Sequence, residues 1–230
     1  MTTLYHYPFC PHSRFIRLIL HEMALGATLI EERPWEPRSK IVAANYVGCL
    51  PVLCDGDTSV IPGAMIISEY LDEIYGEAQK DRRLFPTHPL ERLEIRRLTS
   101  FFHTVFAHDV TEVFMVEKVY KRFLKSHAGG GAPDTLAIRN ACVAIRNHLS
   151  YLDTLAGHRN WLGGEKLSYA DLCAAAHLSC IDYLGDVPWN EYDMLKSWYA
   201  RVKSRPSFRP LLADRIPAIL PVPHYTDLDF

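Results

Sequence analysis

The sequence predicts an α/β domain over residues 1–78 followed by an all-α domain over residues 88–230. In the first part, short apolar runs typical of strands alternate with segments whose apolar residues recur at helical spacing. In the second part, the apolar residues recur at helical spacing throughout. Residues 76–89 between them are polar and contain Pro86 and Pro89, which is typical of a domain boundary. A chain of 230 residues with 48% hydrophobic content can fill two modest cores.

The elements of the first domain begin with a strand that leads directly into a helix. Residues 4–7 form an apolar run that stops at Pro8, and Pro11 suits the first turn of the following helix. The remaining elements are predicted in the order strand, short helix, hairpin and helix, at residues 28–32, 39–44, 51–61 and 64–75.

Cys10 lies at the junction of the first strand and the first helix. The first N–H groups of a helix have no partner within it, and the helix dipole favours negative charge there, so we expect the thiolate of Cys10 to be stabilised. Cys10 is therefore the candidate nucleophile if the protein is an enzyme. The alternative is an inert, partly buried thiol that happens to begin a helix.

Capping residues and apolar stripes mark the helices of the second domain. One apolar stripe begins at residues 98–105 and continues at the same spacing through residues 113–123. It predicts a helical region that ends at the glycines of 129–131. Ser168, with Asp171 three residues later, has the pattern of a helix N-cap. Three prolines in residues 217–230 predict an extended C-terminal tail, which either packs on the body or binds a partner.

Charge and composition exclude several classes of partner. The 25 basic and 27 acidic residues give a formal charge of −2, so no overall basic bias favours nucleic acid. Neither a membrane span nor an export signal is evident, and we expect a cytoplasmic protein.

The six cysteines have no regular spacing and are predicted to be reduced. His103 and His108 are five residues apart, so no metal site is predicted.

Several stretches resemble the glutathione transferase superfamily. Residues 45–51, Asn-Tyr-Val-Gly-Cys-Leu-Pro, are similar to its Asn-Pro-x-Gly-x-Val-Pro stretch, and residues 168–171 match its capping motif. The resemblance covers essentially the whole chain and implies a thioredoxin-like N-terminal domain, an all-helical C-terminal domain and a cis peptide bond before Pro51. Residues 10–13, Cys-Pro-His-Ser, resemble the cysteine-type members, which implies that Cys10 would form a mixed disulfide with glutathione.

The glutathione site departs from the family pattern in one place. Leu50 and Pro51 retain the backbone that pairs with glutathione, but the family's Glu-Ser pair falls on Gly63 and Ala64 here. A lost hydrogen bond to a charged group is worth roughly 1.5 to 3 kcal/mol, or about one to two decades of affinity. We therefore expect weak glutathione binding and no required cofactor.

A closer resemblance is to transferase-like cell-division proteins of alphaproteobacteria, over residues 33–37, 182–189, 198–215 and 224–230. This resemblance implies a homodimer that binds FtsZ filaments at the division site. It also implies that the C-terminal tail signals to the septal wall-synthesis machinery. Two alternatives remain: a glutathione-dependent thiol transferase that uses Cys10, and a ligand-binding or stabilising role with neither activity.

Three groups of residues are candidates for partner binding. Four basic residues at helical spacing predict one charged helix face, and their alternative role is a solvated surface. Trp35, between two prolines, is either a lid on a cleft or an exposed anchor. The acidic and aromatic end of the tail is the third candidate. Apart from Trp35, the candidates are Lys118, Lys121, Arg122, Lys125, Asp227, Asp229 and Phe230.

Overall fold

A four-stranded sheet forms the centre of the first domain in the computed structural model, which describes residues 2–43, 49–56 and 59–228. The strand order is β2-β1-β3-β4. The pair β1 and β2 is parallel because the helix Pro11–Glu22 crosses between them, and the other pairs are antiparallel. The strands are β1 (Thr3–His6), β2 (Thr28–Glu31), β3 (Val52–Asp55) and β4 (Ser59–Pro62).

The helices of this domain agree with the predicted order. They are α1 (Pro11–Glu22), α2 (Lys40–Ala43) and α3 (Ala64–Tyr75). The peptide bond between Leu50 and Pro51 is cis, which confirms the expectation drawn from the family motif. The predictions that concern residues 44–48 and 57–58 lie outside the described residues.

The second domain is helical, as predicted. Its first helix continues through a π-helical segment, residues 102–111, into α5. The other helices surround α7, which is buried along almost its whole length because its sequence is rich in Ala and Leu. The helices are α4 (Pro89–Phe101), α5 (Glu112–Lys118), α6 (Thr135–His158), α7 (Tyr169–Leu184), α8 (Asp193–Lys203) and α9 (Arg209–Ala213).

The predicted capping box at the start of α7 is confirmed. The backbone N–H of Ser168 donates to Asp171 Oδ2 at 3.0 Å, and the Ser168 hydroxyl donates to the same oxygen at 2.8 Å. The helix that these residues begin packs against α1, and Phe9 and Tyr183 meet edge to face with their ring centres 4.5 Å apart. The cores of the two domains are therefore continuous through α1 and α7.

The C-terminal tail packs on the body, where Tyr225 is part of the core and Leu228 packs against it. One 3₁₀ turn, Pro223–Tyr225, interrupts the predicted extended conformation. The Tyr225 side chain is fully buried, and its hydroxyl donates to the Leu211 carbonyl at 3.0 Å and accepts from Arg14 at 3.1 Å. Burial of an aromatic ring with satisfied hydrogen bonds anchors this part of the tail.

Candidate functional site

A cleft of about 410 Å³ lies between the first domain and α5. The sheet domain contributes the start of α1 and the residue before the cis proline, and the helical domain contributes the face of α5. The lining includes Cys10, His12, Leu50, Thr111, Met115 and Tyr120. Clefts between domains with apolar walls and a few polar groups are the usual place for small-molecule sites.

Cys10 occupies the N-cap position of α1 on the wall of this cleft. Its Sγ lies 3.9 Å from the Leu50 carbonyl oxygen. Burial raises the pKa of the Cys10 thiol, and hydrogen bonds from Ser13 and from the backbone N–H of His12 lower the pKa by less. The pKa of Cys10 is therefore raised, whereas the position at a helix terminus predicts a lowered pKa, because desolvation of the sulfur exceeds the effect of these hydrogen bonds.

The start of α3 lacks a polar side chain, as the sequence predicts. Gly63 is the N-cap with φ of +81°, and its N–H donates to the Pro51 carbonyl at 2.9 Å. Ala64 is the first helical residue and is buried. Ser68 does not replace the missing hydroxyl, because its Oγ donates to the Met65 carbonyl at 2.9 Å.

Trp35 is half-buried in a cluster of aromatic side chains beside the cleft. Its ring stacks on Phe123 with the ring centres 4.4 Å apart and meets Tyr7 edge to face at 5.4 Å. Tyr120, which lines the cleft, lies 6.0 Å from Trp35. This packing places Trp35 at the margin of the cleft, as a lid would require, and not on an open surface.

The four basic residues do not share a helix face, so that prediction is wrong. Helix α5 ends at Lys118, and Lys121 and Arg122 lie in a separate 3₁₀ turn. Lys118 pairs with Asp186 at 2.7 Å.

In the part of the chain that the structure describes, one of the other three candidate basic residues forms an ion pair and two do not. Lys121 pairs with Glu117. Within the described residues, Arg122 and Lys125 are exposed and form no ion pair. At the tail, Asp227 is exposed, and Asp229 and Phe230 lie outside the described residues.

Sequence patterns missed a cluster of three histidines next to the cleft. His12, His103 and His177 come from α1, the π-helical segment and α7, and each has one ring nitrogen within 4.8 Å of the others. Spacing along the chain carries no signal for this cluster, because each member belongs to a different element. His12 is the member that also lines the cleft.

Comparisons with known proteins cover both domains. Residues 4–79 match the family model for the glutathione S-transferase N-terminal domain, and residues 140–215 match that for the C-terminal domain. The chain is 42% identical over 231 residues to FtsZ-localized protein A of Caulobacter vibrioides, covering 99% of this chain and 98% of that protein.

The chain is also similar over its whole length to several solved structures. A glutathione S-transferase from Sinorhizobium meliloti 1021 has a TM-score of 0.96 at 49% identity. The match covers 100% of this chain and 100% of that one. FzlA from C. crescentus has a TM-score of 0.91 at 41% identity, over 100% of this chain and 99% of that one.

Among the described residues, no helix combines the length and apolar character needed to cross a bilayer.

Proposed function

Because the chain belongs to the glutathione S-transferase family, we propose that it uses the family's fold as a scaffold to bind FtsZ filaments in cell division, without efficient transferase activity. The observation that carries this proposal is the 42% identity, over 99% of the chain, to a protein named for its localisation with FtsZ. The degenerate start of α3 supports the second part of the proposal.

The case against efficient glutathione chemistry rests on two separate places, the start of α3 and the wall of the cleft. At Ala64, a methyl group stands where the family places a hydroxyl that binds a carboxylate. At Cys10, burial raises the pKa of the thiol, so little thiolate is present at neutral pH. A substrate would thus be held weakly and would meet a poor nucleophile.

The filament is the partner that fits best, and other parts of the proposal follow from the same resemblance. They are a homodimer, a location at the division site in the cytoplasm, and signalling from residues 217–230 to septal wall synthesis. A dimer would present two copies of each surface to one filament, which raises avidity without new contacts.

Co-sedimentation tests the proposal directly. Purified protein is mixed with FtsZ from the same organism, polymerised with GTP, and centrifuged. We expect the protein in the pellet with filaments and in the supernatant when GDP keeps FtsZ unpolymerised. Equal amounts in the supernatant under both conditions would reject filament binding, and a light-scattering trace would verify that filaments had formed.

A second candidate function is that of a cysteine-type thiol transferase. One observation favours it: Cys10 lies at a helix N-terminus, on the cleft wall, 3.9 Å from the carbonyl that precedes the cis proline. Reduction of a mixed disulfide between glutathione and a small thiol, measured for the wild type and for Cys10→Ala, tests it. Turnover that disappears in the variant would support this enzyme.

A further inference from the structure

The three histidines beside the cleft form a small polar cluster inside an apolar region. The His177 Nε2 and His103 Nδ1 atoms are 3.3 Å apart, and the ring centres of His12 and His103 are 4.5 Å apart. His177 is fully buried, and the other two are half-buried. Family resemblance does not account for this arrangement, and the proposed filament binding does not use it.

The distances suit a transition-metal ion. Two nitrogens bound to one tetrahedral Zn²⁺ at about 2.0 to 2.1 Å are separated by about 3.3 to 3.4 Å, which is the distance between His177 and His103. A ring nitrogen of His12 lies within 4.8 Å of a ring nitrogen of each of the other two residues, so movement of the His12 ring towards them would complete the set.

The outer nitrogens of two rings are already held by neighbours. His177 Nδ1 lies 3.1 Å from the Thr111 hydroxyl, and the Cys173 sulfur lies 3.4 Å from His103 Nε2 and 3.8 Å from His103 Nδ1. In metal sites, a ligating histidine commonly uses its second ring nitrogen in such a contact, which fixes the ring's tautomer and direction. The inner nitrogens of His103 and His177 are thereby left facing each other.

The local backbone agrees with this role. His103 lies in the π-helical segment, a backbone form that occurs often at functional sites.

We propose that His12, His103 and His177 form a binding site for a divalent transition metal of the Zn²⁺ type, open to the cleft. Imidazole ligands suit Zn²⁺ and its neighbours better than Mg²⁺ or Ca²⁺. Three protein ligands leave a fourth position, which water or a ligand from the cleft fills. Because the three ligands are neutral, the buried ion favours an anionic fourth ligand such as hydroxide.

Cobalt titration tests the site in the full chain. Tag-free protein is stripped with a chelator, kept reduced with a phosphine and titrated with Co²⁺, followed by its visible d–d absorption. We expect one equivalent to bind with a four-coordinate spectrum, to lack a strong thiolate charge-transfer band because Cys173 stays outside the ligand set, and to be displaced by Zn²⁺.

Three variants locate the ion. His12→Asn on the cleft wall and His103→Gln are expected to weaken binding at least 100-fold, and Thr111→Val by about 10- to 100-fold through the freed His177 ring. The matched control is His108→Gln, an exposed residue of the same π-helical segment, which should bind like the wild type.

Circular dichroism of each metal-free variant verifies folding before the titration, and His12→Asn, on the cleft wall, keeps the test decisive if His103→Gln does not fold. Wild-type protein that is folded but takes up no Co²⁺ or Zn²⁺ would overturn the proposal. Unchanged affinity in His12→Asn would overturn it equally, because the ion would then be bound elsewhere.

Discussion

Arg17 of α1 and Asp214 after α9 form two hydrogen bonds, of 2.7 and 3.1 Å, across the domain interface. Arg14, which is fully buried, lies 3.5 Å from the same carboxylate. One acidic group therefore compensates two cations that are largely removed from water. Such an arrangement is costly to break, because the two buried guanidinium groups would then have no compensating negative charge.

Replacing Asp214 with Ala is expected to lower the free energy of unfolding by about 3 to 5 kcal/mol, since Arg14 and Arg17 would lose their carboxylate. Urea denaturation at pH 7 measures the loss. Glu191→Ala, which breaks the exposed pair with Arg146, is the matched control and should leave stability nearly unchanged. Equal effects of the two variants would show that burial of the arginines is unimportant.

Alkylation of Cys10 should be slow at neutral pH, and its rate should rise with pH and continue to rise above pH 9. Burial raises the pKa of this thiol, so the thiolate fraction at pH 7 is below that of a free cysteine. Iodoacetamide labelling followed by peptide mass spectrometry gives the rate at each pH, with Cys10→Ala to identify the peptide. A rate that is fast and constant between pH 6 and 8 would contradict the prediction and favour the thiol transferase.

Restoring a hydroxyl at the start of α3 should strengthen glutathione binding. We expect millimolar or weaker affinity for the wild type, and a gain of about one to two decades for Ala64→Ser if the new hydroxyl binds a carboxylate. Isothermal titration calorimetry measures both. Met65→Ser adds the same group one residue further and should change little. Micromolar binding by the wild type would show that other groups compensate for the missing serine.

Helix α3 and the helical region after residue 98 show how much of the fold can be predicted from the sequence alone. The predicted bounds of α3, 64–75, agree with the structure, because its apolar residues and its preceding Gly63 are local signals. The end of α5 was missed since Tyr120 and Phe123 keep helical spacing. Both side chains contact Trp35 of the other domain, and tertiary contact overrides local pattern there.

The sequence likewise predicts some features of the candidate site and not others. Cys10, Leu50 and Pro51 could be located because short motifs mark the first helix and the cis proline. The pKa of Cys10 could not be predicted, because desolvation depends on what packs over the sulfur. The histidine cluster was also unpredictable, since two of its members, His12 and His177, are 165 residues apart.

Acid should destabilise the fold through His6 in β1. Burial, with a smaller contribution from the charge of Arg17, lowers the pKa of His6 to about 3. Below pH 6.5 the unfolded chain binds this proton and the folded chain does not, so stability falls as the pH falls. Between pH 7 and pH 5, this one group should cost about 2 kcal/mol.

The variant His6→Phe isolates that contribution. Its free energy of unfolding, from urea denaturation at pH 7 and pH 5, should fall by about 2 kcal/mol less than that of the wild type. The exposed His127→Phe serves as control and should keep the wild-type difference. Identical pH dependence in His6→Phe and the wild type would mean that folding does not lower the pKa of His6.

Of the four candidate basic residues, Arg122 and Lys125 are the better placed to bind an acidic partner. Both are exposed and form no ion pair within the described residues, whereas Lys118 and Lys121 are paired with acids. Reversing both charges, in Arg122→Glu/Lys125→Glu, should reduce the fraction that pellets with FtsZ filaments several-fold at low salt. The reduction should shrink as salt is added, because screening weakens the attraction in the wild type.

Net charge alone could produce the same result, so a matched variant is required. Lys80→Glu/Lys166→Glu changes the formal charge by the same amount, and both residues are exposed and line a different surface depression. If Arg122 and Lys125 contact the filament, only their own reversal reduces pelleting at low salt. Equal losses in the two double variants would indicate non-specific repulsion, and no loss in either would place the filament-binding surface elsewhere on the molecule.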